Sequence, residues 1–140
     1  MGKLMTEESG SPMASKSSKL ALAPQPEAPA EARAVLRRFA SSADPDRLQI
    51  AELLLTELVT NSMRHGHLKE KQKITIELHQ DDDTLKVCVR NPNGSSGLGA
   101  EELGEPRSRG YGLALVEMLA ERWGQAGSDF TEVWFELPCA

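Results

Sequence analysis

Apolar residues recur at steps of three and four through "ADPDRLQIAELLLTELVTNSMRHG" (residues 43–66). That period predicts a long helix with one buried side. Asp44 is its expected N-cap, Pro45 its first helical residue and Gly66 its stop. A second helix is predicted over 29–42, "PAEARAVLRRFASS", with Ala32, Val35, Leu36 and Phe39 on one stripe. Strict alternation marks "KITIELHQ" (73–80) and "TLKVCVRN" (84–91) as strands, with "DDD" turning between them as a hairpin. Weaker alternation in "KLALAP" (19–24) suits an edge strand ended by Pro24. Helical period resumes in "YGLALVEMLAERWG" (111–124), and "FTEVWFELP" (130–138) alternates again as a closing strand. Helices grouped between antiparallel-looking strands predict an α+β two-layer sandwich, a mixed and mostly antiparallel sheet with helices on one face.

Two segments carry no such pattern. Residues 1–17 are rich in Ser, Gly, Lys and Glu and read as a disordered or vector-encoded tail, which leaves a single domain over 18–140. Residues 92–110, "PNGSSGLGAEELGEPRSRG", are Gly, Ser, Pro and charge. A segment of that length inside a domain is usually a lid, a binding loop or disorder. A lid over 92–109 is the expectation here.

Length and charge narrow the function. The 140 residues suffice for one core, and a net charge of −5 argues against a partner held by a general positive field, such as nucleic acid. No apolar run is long enough to span a bilayer and no signal-peptide pattern begins the chain, so a cytoplasmic location is expected. Cys88 and Cys139 lack any paired spacing and read as free thiols of a reducing compartment. His65, His67 and His79 have no metal-ligand spacing.

Chemistry enters through "TELVTNSMRHGH" (56–67), where Glu57, Asn61 and His65 recur at steps of four. At about 100° per residue, with Ile50 at about 0°, Leu54, Leu58, Ala51, Leu55 and Val59 fill an arc from about 40° to about 180°. Glu57, Asn61 and His65 fall at about 340°, 20° and 60°, continuing the Ile50–Leu54 line, while Glu52, Thr56 and Thr60 lie on the solvated side. A carboxylate and an amide on an inward face need partners, and a cleft holding a ligand or metal would supply them. A helix end emerging into solvent would satisfy them equally. Downstream, "RGYGL" (109–113) sets Gly110 and Gly112 at a helix start, where backbone N–H groups can approach phosphate oxygens; Arg107 and Arg109 add positive charge.

With both features in place, the chain resembles the GHKL ATPase superfamily and, more narrowly, the bacterial anti-sigma factor serine/threonine-protein kinases. "ELVTNSMRHG" is similar to that family's N-box, "RGYGLALVEMLAERWG" to its second glycine box and "VWFELP" to its closing strand. The resemblance implies the Bergerat ATP-binding fold, with ATP and Mg2+ as cofactors. It implies Glu57 as general base, Asn61 as the magnesium ligand and His65 lining the nucleotide site. Gly110, Gly112 and the neighbouring amides of Tyr111 and Leu113 would cradle the phosphates. The first glycine box departs from the family pattern. Asn91 stands where an Asp normally reads the adenine amine, and Gly94 is out of step. An amide oxygen can accept the same hydrogen bond, and an Asn there can equally close a turn.

The implied partners are an anti-sigma-factor antagonist of the STAS type, a sigma factor and a second copy in a homodimer, with no membrane and no direct nucleic-acid contact. The competing reading, motivated by Asn91, is a nonenzymatic switch that binds a partner with weak nucleotide binding or none. Trp123, Trp134 and Phe135 are expected in the core, although Trp134 alternates away from Val133 and suits a partner surface.

Overall fold

A computed structural model describes residues 15–94 and 111–140, with the backbone alone for Tyr111 and Gly112. Its elements are β1 (Lys16–Leu22), α1 (Ala28–Phe39), α2 (Pro45–His65), β2 (Ile74–Gln80), β3 (Thr84–Asn91), α3 (Tyr111–Leu119), β4 (Arg122–Ala126) and β5 (Thr131–Pro138). The expected lid lies outside the described residues except for 92–94, and the expected tail except for 15–17. β1 begins at Lys16, before the 17/18 boundary drawn from composition.

The long helix starts and stops as its end residues dictate. The Asp44 carboxylate accepts from the Arg47 N–H at 3.1 Å, satisfying one of the first-turn donors, and Pro45 opens the helix where no N–H is needed. At the far end the Gly66 N–H donates to the Ser62 carbonyl at 2.9 Å. A Cβ at Gly66 would collide with that same carbonyl, so the close approach of the chain here requires glycine. Ala51, Leu54, Leu55, Leu58 and Val59 are buried, which is the arc read from the period.

The five strands run in the order β1-β2-β3-β5-β4, and every neighbouring pair is antiparallel. Ile76 pairs with Val89, Leu78 with Val87, and Val87 with Phe135, so one face is an apolar surface. Against it pack Ala32 and Leu36 of α1, the buried arc of α2 and Val116 of α3. Each large side chain buried there contributes about 1.5–3 kcal/mol relative to exposure. The other face carries no helix among the described residues. Lys19, Glu77, Cys88, Trp134 and Gly124 form one row straight across it. Several of its charges are paired or stacked: Lys86 Nζ lies 4.7 Å from the Trp134 ring centroid, and Arg122 meets Glu136 at 3.7 Å.

The hairpin turn forms because Asp81 replaces missing ladder partners. Its Oδ1 accepts from the Asp83 N–H at 2.9 Å and the Thr84 N–H at 2.7 Å. Cys139 ties this end of the molecule together, donating its N–H to the Asp83 carbonyl at 2.9 Å and accepting at its own carbonyl from the Asp44 N–H at 2.7 Å.

One predicted element is corrected. The helix expected over 111–124 ends at Leu119, and Arg122–Ala126 is a strand. The Ala120 N–H still closes the helix on the Val116 carbonyl at 2.9 Å, but the Glu121 N–H crosses to the Glu136 carbonyl at 2.9 Å. Trp123 keeps its place on the apolar side, opposite Phe135, by strand alternation rather than by helical period. Gly124 faces Trp134, whose indole a Cβ would meet at 2.8–2.9 Å.

Candidate functional site

One flank of α2 is covered by α1. Arg33 donates to Thr56 Oγ1 at 2.9 Å, Thr56 donates on to the Glu52 carbonyl at 2.7 Å, and Arg37 grips the Glu52 carboxylate through two nitrogens at 2.7 and 3.1 Å. Glu52 and Thr56, expected among the solvated groups, are therefore taken up by a helix–helix contact. Their polar atoms find partners on α1 that the period of α2 alone cannot reveal.

Glu57, Asn61 and His65 lie on the opposite flank, beside the buried arc. Each is half-buried, and none of their side chains hydrogen-bonds to another described residue. Half-buried polar groups without protein partners must be served by water or by a ligand. The line read from the sequence is thus a strip at the edge of the core.

The end of β3 meets the end of α2 through amides. Asn91 is buried, and its Oδ1 accepts from the Asn93 N–H at 3.0 Å, closing a turn over Pro92. Asn93 is the knot of the region. Its Nδ2 donates to the Gly66 carbonyl at 2.6 Å, to the His67 carbonyl at 3.0 Å and to Gln72 Oε1 at 3.0 Å; its Oδ1 accepts from Gln72 Nε2 at 3.0 Å. Thr131 Oγ1 donates to the Asn93 carbonyl at 2.8 Å, binding in the start of β5. Asn93, Gln72 and Thr131 were not singled out from the sequence. Asn93 alone lies in a turn-forming run, Asn-Pro-Asn, and no local pattern marks Gln72 or Thr131.

The other expected site residues divide. Gly94 backs onto the carbonyl of Ser128, which a Cβ would strike, so it has a packing reason of its own. Leu113 is half-buried against the core. Tyr111 and Gly112 open α3, and Arg107, Arg109 and Gly110 lie outside the described residues. His79 sits on the uncovered face, 3.5 Å from Glu77, with the sheet between it and α2. Among the described residues no group of three or more His, Cys, Asp or Glu side chains can hold a metal. Magnesium needs no such cage, since it is commonly held by one or two side chains together with phosphate oxygens and water. The Asn61 amide, which bonds to no described side chain or backbone group, fits that role.

Residues 22–136 match the histidine kinase-like ATPase domain. The chain belongs to that family. Membership bears out the resemblance carried by the N-box and the second glycine box. No curated protein matches this ATPase-family chain. Among solved structures it is similar to the RsbU and RsbW domains of Rv1364c from Mycobacterium tuberculosis, with a TM-score of 0.67 at 19% identity over 86% of this chain. The chain spans 32% of that longer protein. At such identity the likeness concerns the fold. Among the described residues of this ATPase-family domain, no helix is long and apolar enough to cross a membrane.

Proposed function

We propose that the chain is an ATP-dependent serine/threonine-protein kinase that acts as an anti-sigma factor, phosphorylating a STAS-type antagonist and sequestering a sigma factor as a homodimer in the cytoplasm. The observation that carries this reading is the strip of Glu57, Asn61 and His65. It is half-buried and unpaired within the described protein, in a chain of the ATPase family. Similarity to the Rv1364c structure, which includes an RsbW domain, supports the narrower assignment.

In this reading Asn61 holds magnesium and His65 lines the nucleotide pocket. Magnesium would neutralise phosphate charge. Glu57 accepts the proton of the attacking hydroxyl as its oxygen bonds to the γ-phosphorus and ADP departs. The resemblance assigns phosphate oxygens to the amides of Gly110–Leu113, of which Tyr111 opens α3, and charge to Arg107 and Arg109. Transfer of labelled phosphate from ATP to antagonists encoded nearby tests the reading. Glu57→Ala is expected to abolish transfer, and full transfer by that variant would remove Glu57 from its role.

A second reading is favoured by one contact. The Asn91 oxygen expected to read adenine is engaged by the Asn93 N–H. A partner-binding switch without kinase chemistry accommodates that directly, and magnesium-ATP binding by neither wild type nor Asn61→Ala would select it.

A further inference from the structure

Asn91 and Gln80 are the two buried polar residues among those described, 4% and 7% exposed. Gln80 Nε2 is turned onto Cys139 Sγ at 3.5 Å, at the hairpin end of the sheet. Asn91 lies at the opposite end, where β3 runs out beside Gly66 and the last turn of α2. Its two amide atoms differ in kind. Oδ1 accepts the Asn93 N–H, whereas Nδ2 donates to no described residue. Gln80 Oε1 is the one fully buried side-chain polar atom left without a partner among the described residues.

The orientation of this amide is not free to reverse. A flip would bring NH2 against the N–H of Asn93, donor against donor, and leave both unsatisfied. The Asn93 N–H is itself fixed, because that residue's side chain is tied to Gly66, His67 and Gln72, and its carbonyl to Thr131. The end of β3 therefore offers a hydrogen-bond donor, where a carboxylate would offer acceptors alone.

We propose that Asn91 makes the base end of the site selective for a 6-oxo purine, so that a guanine or hypoxanthine nucleotide binds at least as well as an adenine nucleotide. Guanine and hypoxanthine present a carbonyl oxygen at position 6, which accepts from Nδ2 and which a carboxylate would repel; the adenine amine finds only the second lone pair of the already engaged Oδ1. The inference rests on the nucleotide reading of the site and names the base class that reading takes.

Titration calorimetry of the full chain with magnesium-ATP, magnesium-GTP and magnesium-ITP tests it, with Asn91→Asp as the variant. A carboxylate keeps the acceptor for the Asn93 N–H and replaces NH2 by a second acceptor, so the turn persists while the face shown to the base reverses. In the wild type, GTP and ITP are expected to bind as tightly as ATP or more tightly. In Asn91→Asp the GTP-to-ATP affinity ratio is expected to fall by roughly tenfold or more, the factor that about 1.4 kcal/mol represents. A wild type that prefers ATP by that factor, or a ratio unmoved by Asn91→Asp, would overturn the base assignment and leave the nucleotide site standing. Failure of all three nucleotides to bind the wild type would remove both.

Discussion

Glu57 and Asn61 stand one helical turn apart, yet they are asked to do different things, and substitution can separate them. In Glu57→Gln the amide is isosteric and cannot take a proton, so transfer is expected to fall by about 100-fold or more with nucleotide affinity little changed. Asn61→Ala is expected to weaken magnesium-nucleotide binding itself. Titration calorimetry beside a transfer assay separates the two outcomes. Both residues were visible in the sequence because a helical step of four is a strong pattern. The tie between Asn93, Gln72 and Thr131 was not, since it joins positions up to 59 residues apart that share no period. Cys88 makes a further residue-scale case. Burial, with nearby Glu132, Glu77 and Glu136 adding and Lys86 opposing, pushes its thiol up to about 11 from an ordinary 9.0. Between those values the unfolded chain has released a proton that the native chain retains, so stability falls as pH rises from about 9 to about 11. Urea unfolding near pH 8 and near pH 10.5 is expected to show a smaller loss in Cys88→Ala than in the wild type. Some slope persists there, because burial raises the Cys139 thiol as well.

Among the elements, α2 was the most legible: Asp44, Pro45 and Gly66 give local instructions that agree with the apolar arc. The helical period over 111–124 runs past the end of α3 because Trp123 satisfies both a helical stripe and a strand's inward face. What decides is nonlocal, the pairing of 122–126 with β5. Gly124 is the price of that pairing, leaving room for the Trp134 indole. Gly124→Ala is therefore expected to destabilise the protein by about 1–3 kcal/mol, read as a lower midpoint in urea with an unchanged slope. The apolar face of the hairpin, by contrast, followed from strict alternation, and Asp81 supplied the turn.

At the scale of the whole molecule the fold class is readable, because seven alternating or periodic runs leave few ways to bury their apolar sides. The order of strands is not, since β5 inserts between β3 and β4 by contacts that no local pattern records. β1 closes one edge of this sheet, with Leu22 buried and Leu20 packed against the core. Removing residues 1–22 uncovers β2 and is expected to lower the thermal midpoint by at least several degrees and promote aggregation. Differential scanning calorimetry with light scattering checks both. The two tryptophans, finally, fall on opposite faces of the sheet, Trp123 on the side of the helices and Trp134 on the uncovered side beneath Lys86. That placement gives the domain two optical channels. Emission from a Trp134→Phe protein reports on events around α3, and emission from a Trp123→Phe protein on whatever covers the bare face, so nucleotide and partner can be followed separately without attaching a dye.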